Sequence, residues 1–95
     1  MHERVLRTMR EKIRQRDYVV TTHADEEMYE DGLTIWDVEA SVLAGEIVER
    51  QSDRRSSDWK YVIHGKAATG AGMAVVAKIG SSQRVVIITV YLLET

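Results

Sequence analysis

The stretch MAVVAKI-GSSQ-RVVIITVYL, residues 73–92, decides the fold of this chain. Two apolar runs rich in β-branched residues, 73–79 and 84–92, flank the polar turn 80–83, and this pattern is typical of a β-hairpin. The second run is apolar almost throughout, which predicts a central strand covered on both faces. It is far shorter than the roughly 20 residues that a membrane span needs. We therefore expect the second run, 84–92, at a central position in a sheet, in a protein that does not enter the membrane.

Further strands are predicted upstream of this hairpin. Residues 59–64 alternate, so that Lys60, Val62 and His64 share one face of a strand, and residues 46–51 alternate weakly. A polar turn, 53–58, separates these two segments. A glycine-bearing stretch, 65–72, leads back to the hairpin and lacks the residue order of a phosphate-binding P-loop. The pattern predicts an antiparallel meander of about four strands.

The N-terminal half has helical periodicity. Residues 3–16 predict an amphipathic helix whose apolar stripe holds Val5, Leu6, Met9 and Ile13. Residues 18–22, YVVTT, predict a strand or an extended segment. Two or three helices followed by strands indicate an α+β fold, and the chain is short enough to form a single domain, 1–95.

Two further helices are predicted from their end signals. Thr22 is the expected N-cap of the first, with Asp25 as its capping partner, and Gly32 ends it. Thr34 begins the second with Asp37 at the capping-box position, and a glycine, Gly45, ends it.

Composition and charge restrict the classes of function. The chain has no cysteine, which excludes disulfides and thiolate chemistry, and no signal-peptide pattern, so we expect a cytoplasmic protein. The net charge of −2 is an average over unlike segments. Residues 1–16 hold six basic and two acidic side chains. Residues 17–50 hold one basic and ten acidic side chains, and residues 51–95 hold six basic and three acidic ones. Such asymmetry points to charged partners, and the small size to a homodimer or a partner protein.

The order of short motifs resembles a bacterial family, domain of unknown function 4258. These motifs are Thr22-His23-Ala24, Met28, Gly32-Leu33-Thr34, Asp37-Val38, Gly45-Glu46-Ile47 and the closing Ile88-Thr89-Val90-Tyr91. The resemblance covers about residues 18–91. It implies a RelE-like fold, with helices packed on an antiparallel sheet, and kinship to small ribonuclease toxins of the RelE and BrnT groups. Two positions at which the family pattern has arginine are Glu27 and Asp31 here, and both changes would repel an RNA backbone.

The resemblance suggests metal-independent cleavage of RNA, in which the ribose 2′-hydroxyl attacks the adjacent phosphate. That reaction needs a base, an acid and cations near the phosphate. Histidine exchanges protons near neutral pH, so His23 and His64 are the candidate bases. Tyr91 projects to the same side of its strand as Thr89 and is a candidate to donate a proton or orient the nucleotide. Each of these side chains has a purely structural alternative.

The other candidates are cations. Lys78 and Arg84 are placed to stabilise a phosphate, Lys66 lies in the glycine-bearing stretch, and Arg54 and Arg55 precede Trp59 in a basic-aromatic cluster suited to single-stranded RNA. The basic stripe of the first helix, which would dock an acidic antitoxin-like partner, consists of Arg7, Arg10 and Arg14.

No cofactor is expected, and His23 with Glu27 four residues later does not by itself make a metal site. Three hypotheses follow: a toxin-like ribonuclease, a non-catalytic binding module with the same fold, and a partner-binding subunit.

Overall fold

In the computed structural model, which describes residues 2–94, three helices and a five-stranded sheet form an α+β domain. The helices are α1 (Glu3–Arg14), α2 (Thr22–Asp31) and α3 (Ile35–Ala44), and the strands are β1 (Tyr18–Val20), β2 (Glu46–Ser52), β3 (Trp59–Lys66), β4 (Gly72–Ile79) and β5 (Val85–Leu92). None of these helices is long and apolar enough to cross a membrane.

The sheet has the order β1-β5-β4-β3-β2, with β2 to β5 antiparallel in sequence order and β1 parallel to β5. The expected count of about four strands and the purely antiparallel arrangement were therefore wrong. The segment that begins at Tyr18 is a true strand, and its partner Val85 lies 67 positions later. A parallel pair needs a long crossover connection, and its partner strand leaves no local sequence signal.

The helices cover one face of the sheet and leave the other open. Buried side chains of all three helices and of β3, β4 and β5 form one hydrophobic core between the layers. A smaller cluster, which holds Val62, Ala74 and Val76, lies on the opposite face. The central strand is β4, which is buried along most of its length, and not β5 as its apolar sequence indicated. We call the helix-free side the open face.

The helix ends mostly follow the predicted signals. Gly32 ends α2 in the left-handed conformation, at φ 68°, and Thr34 and Asp37 form a capping box at the start of α3. Thr22, however, is not the N-cap of α2. The N-cap is its neighbour Thr21, which has an extended backbone. The hydroxyl oxygen of Thr21 accepts a hydrogen bond from the Ala24 amide at 3.1 Å. With two adjacent threonines, only the backbone conformation selects the cap.

Asp37 also connects two parts of the fold. One carboxylate oxygen accepts hydrogen bonds from the amide and hydroxyl of Thr34, and the other accepts the amide of Ala68 in the loop after β3. These bonds stabilise the carboxylate and lower its pKa, although the side chain is buried. Asp37 therefore holds α3 against the β3–β4 loop.

Helix α3 lies unusually close to β3 at two glycines. A Cβ added at Gly65 would stand 2.5 Å from the backbone oxygen of Ser41, and one at Gly45 would collide with the backbone oxygens of Ser41 and His64. Ser41 is fully buried, and its hydroxyl donates to the Lys66 carbonyl at 3.0 Å. Only glycine fits where two backbones meet at this distance.

Substitution Gly65→Ala is expected to destabilise the domain by about 2–4 kcal/mol, because the added methyl group forces the helix away from the strand. The matched control is Gly72→Ala, where a Cβ would meet only Leu93 side-chain atoms at 3.6 Å and 3.8 Å. Urea unfolding monitored by circular dichroism measures both variants. Equal stability of Gly65→Ala and the wild type would contradict the close-packing argument.

Candidate functional site

A row of side chains on the open face brings together two of the predicted catalytic residues. The strand register pairs Glu46 with His64, His64 with Ala74, and Ala74 with Tyr91. Directly paired residues share a face, and neighbouring strands are about 4.8 Å apart, so the backbones of His64 and Tyr91 lie about 10 Å apart. The small residue Ala74 lies between them, is fully buried and belongs to the cluster against which Leu93 packs.

The polar groups of this pair have no side-chain partner among the residues that the structure describes. Over residues 2–94 the imidazole of His64 and the hydroxyl of Tyr91 make no side-chain hydrogen bond or ion pair. Tyr91 is 38% exposed. Thr89 pairs with Val76 and lies on the same face, as predicted. An imidazole and a phenol hydroxyl, neither of them bonded to another side chain of residues 2–94, therefore lie on one surface.

A groove of about 700 Å³ continues the open face at the end of the sheet. His64 and Lys66 form part of its wall, and Gly45, Gly65 and Gly72 contribute backbone surface. Most of its lining surface is apolar, with Leu6 from α1 and Leu93 after β5, and the carboxylates of Glu3 and Glu46 also line it. The groove has the size of a site for a nucleotide-sized group.

His23 approaches the strand of Tyr91 from a different element, at the edge of β5. It is on α2, in the helix layer, and its Nε2 is 3.3 Å from Glu27 Oε1. The same carboxylate oxygen accepts a hydrogen bond from the Val90 amide at 3.0 Å. Strand β1 is too short to pair with β5 beyond Ile87, so Glu27 satisfies a backbone donor on the unpaired edge. Glu27, which stands where the family pattern has arginine, therefore bonds the backbone of β5, and His23 lies next to Glu27.

Lys78 is on the open face but is held by two carboxylates. Its Nζ is 2.9 Å from Asp53 Oδ2 and 3.5 Å from Asp58 Oδ2, so it ties the β2–β3 loop to the sheet. The hydrogen bond from Lys78 lowers the pKa of Asp53 to about 2, and the hydrogen bond to Asp53 raises the pKa of Lys78. This lysine is a loop anchor in the present structure.

Two predicted arginines also have internal partners. Arg84 donates to Asp17 and to the Tyr18 carbonyl, joining the β4–β5 turn to the start of β1. Arg10 donates to the carbonyl oxygens of Val42 and Gly45, at 3.3 Å and 2.6 Å. A cation there complements the C-terminal end of α3.

Arg54 and Arg55 are exposed in the β2–β3 loop, and no side-chain contact of either occurs within residues 2–94. They do not stack on Trp59. Arg50 does so instead, with its guanidinium 3.9 Å from the ring centroid. The Lys78 anchor keeps the loop beside the open face, so both arginines border it.

The remaining predicted residues lie on the helix layer. Arg7 and Arg14 are exposed on α1 and border a shallow depression along that helix. Among the described residues no group of three or more histidine, aspartate or glutamate side chains is arranged to hold a metal ion.

Sequence reasoning missed Glu46 as a neighbour of His64 and Arg50 as the partner of Trp59. Glu46 pairs directly with His64 across β2 and β3. Arg50 stacks on Trp59 because their strands are adjacent. Both follow from the register, which is shifted by a bulge between Ile47 and Glu49. Alternation alone predicts the face of each residue but not its cross-strand neighbour.

Comparison with known proteins identifies the family of this chain. A family model described as Domain of unknown function (DUF4258) matches residues 20–92, which is most of the chain and includes α2, α3 and strands β2 to β5. The chain therefore belongs to this family, as the motif order indicated. Searches of curated proteins and of solved structures found no match.

The Asp53–Lys78 pair predicts a measurable pH dependence. The pKa of Asp53 is depressed from 3.8 to about 2, so its stabilising effect is present above pH 4 and is lost as the pH falls through about 2. In Lys78→Met the pKa of Asp53 should rise toward its ordinary value. Carboxyl ¹³C shifts followed against pH test this, and an unchanged Asp53 titration in Lys78→Met would contradict the assignment.

Glu27→Arg is expected to lower stability by about 1 kcal/mol, or roughly 4–8 °C in the melting temperature, because it removes the acceptor of the Val90 amide. Asp31→Arg is the matched control, since it makes the same charge change on the exposed side of α2, where the carboxylate accepts no backbone amide from residues 2–94. Thermal unfolding measures both. Equal melting temperatures of the two variants would contradict a stabilising role for the bond between Glu27 and the Val90 amide.

Proposed function

We propose that the open face and its end groove bind single-stranded RNA, and that His64 and Tyr91 cleave it without a metal. The observation that carries this proposal is the row from Glu46 through His64 and Ala74 to Tyr91. Within residues 2–94 His64 and Tyr91, which lie two strands apart, make no side-chain hydrogen bond or ion pair. An exposed tyrosine on an open sheet suits stacking of an unpaired base.

The chemistry assigns one task to each group. His64 takes the proton of a ribose 2′-hydroxyl, whose oxygen attacks the adjacent phosphorus. The bond from phosphorus to the 5′-oxygen breaks, and Tyr91 gives that oxygen its proton. The products are a 2′,3′-cyclic phosphate and a 5′-hydroxyl. Lys66, on the same strand and in the same groove as His64, offsets the charge that develops on the phosphate.

The charge distribution favours the open face over the exposed surface of α2. The open face has Lys66 beside His64 and the arginines Arg54 and Arg55 in the loop at its other end, together with the carboxylates of Glu46 and Glu49. Helix α2 has four exposed carboxylates and no lysine or arginine. A phosphate backbone is attracted by exposed lysine and arginine and repelled by carboxylates. Under the RelE-like toxin hypothesis, we therefore place the RNA on the open face and not on α2.

A second candidate is RNA binding without cleavage. Lys78 and Arg84, the cations that the sequence suggested for the phosphate, are both held by internal carboxylates. His23 is paired with Glu27. With Lys66 as the remaining cation beside His64, the face has a weaker catalytic set than the sequence suggested.

The test uses a 5′-labelled single-stranded RNA and a DNA of the same sequence, with EDTA present. RNA should be cleaved to cyclic-phosphate ends, and DNA, which lacks the 2′-hydroxyl, should be bound but not cut. His64→Ala should lower the cleavage rate by about 10²-fold or more and Tyr91→Phe by a smaller factor, while His23→Ala, the matched control, should leave it unchanged.

Binding is measured separately by fluorescence anisotropy. Tyr91→Ala should weaken binding by about tenfold, and higher salt should weaken it further. Binding that depends on Tyr91 without any cleavage supports the second candidate. An affinity that is equal in the wild type and Tyr91→Ala, together with cleavage unaffected by His64→Ala, would contradict both.

A further inference from the structure

A second surface lies at the other edge of the sheet, beside β1. A groove of about 370 Å³ runs there between β1, α2 and the start of α3. Its apolar and aromatic lining comes from Tyr18, Val20, Met28, Tyr29, Leu33 and Ile35. None of these residues belongs to the His64–Tyr91 site, so the groove needs its own explanation.

On the side away from β5, β1 pairs with no other strand of residues 2–94, and the Tyr18 carbonyl on that side accepts the Arg84 guanidinium. β1 is the terminal strand of the sheet. The Asp17 carbonyl accepts the Val85 amide and the Thr21 amide donates to Ile87, so the odd-numbered positions face β5. By the alternation of a strand, the amides of Tyr18 and Val20 face outward. Such an edge accepts an added strand.

Two exposed aromatic rings mark this edge. Tyr29 is 88% exposed and Trp36 is 55% exposed, although both residues are in helices that bury other side chains in the core. The guanidinium of Arg16 lies 5.0 Å from the centroid of the Trp36 ring. An arginine of this chain thus already uses the aromatic surface by cation–π contact.

The charge beside the groove is negative. Four carboxylates on the exposed side of α2 make no salt bridge within residues 2–94, namely Asp25, Glu26, Glu30 and Asp31. Asp25 is part of the groove lining. These side chains oppose a phosphate backbone and favour a cation, so the surface is complementary to a basic partner.

We propose that this groove binds an extended, arginine-bearing segment of a partner protein, which adds to β1 as an edge strand. Its apolar side chains enter between α2 and β1, and its arginines contact Tyr29, Trp36 and the carboxylates of α2. A second copy of this chain is a poorer occupant, because its basic N-terminal segment is already folded as α1 and buries its apolar stripe.

The test uses the full chain and a fluorescein-labelled octapeptide of alternating arginine and valine, with a glutamate–valine octapeptide as the peptide control. Wild-type protein should bind the arginine peptide and not the glutamate peptide. The double variant Tyr29→Ala/Trp36→Ala and, separately, Glu26→Lys/Glu30→Lys should each weaken binding by about tenfold or more.

Trp59→Ala is the matched control variant, since Trp59 is also exposed and also lies under an arginine, in β3 on the far side of the sheet from β1. It should bind the peptide as the wild type does. In amide NMR spectra the peptide should shift the signals of Tyr18 and Val20. Thermal melts of all variants verify that they remain folded.

Three results would overturn the proposal: no binding of the arginine peptide at millimolar concentration, an equally weakened affinity in Trp59→Ala, or equal binding of the glutamate peptide. Self-association of the wild type that Tyr29→Ala/Trp36→Ala abolishes would replace the partner with a second copy. RNA binding at the open face should be unchanged in the Tyr29 and Trp36 variants, so the two sites are tested independently.

Discussion

The contact between Ser41 of α3 and Gly65 of β3 is the constraint on which the candidate site depends. At this point helix and strand backbones meet with no room for a Cβ, and the buried hydroxyl of Ser41 bonds the next carbonyl of the strand. Because strand residues alternate, fixing Gly65 beneath the helix turns His64 and Lys66 to the open face. A contact on the helix side thus sets the orientation of groups on the other side.

Some of the candidate functional side chains have bonding partners inside the fold, and others do not. Lys78, Arg84 and Arg10 each bond groups from distant parts of the chain, and so join a loop, a turn and a helix end to the fold. The pair His64 and Tyr91 has no such bond within the described residues. A small domain has few ways to fix its loops, and cations used for that purpose are poor candidates for substrate contact.

Periodicity and end signals in the sequence were sufficient for the helices, for the strands β2 to β5 and for the face on which His64 and Tyr91 lie. They were sufficient because these features depend on residues within a few positions of each other, as in the capping box of Thr34 and Asp37. The pairing of β1 with β5 and the anchor of Lys78 depend on partners that are far away in sequence. A single sequence carries no signal for such pairs.

The acidic middle of the chain has more than one role. Glu27 accepts an edge amide of β5, Asp37 holds α3 to a loop, and Glu39 accepts the hydroxyl of Tyr18 at 2.6 Å. Burial and this bond raise the pKa of Tyr18 to about 12. The carboxylates that remain exposed on α2 are in the helix layer. The negative charge of α2 therefore does not argue against RNA on the open face, because the sheet separates the two surfaces, whereas Glu46 and Glu49 of β2 lie on the open face itself. It argues instead for a cationic partner at the edge where those carboxylates lie.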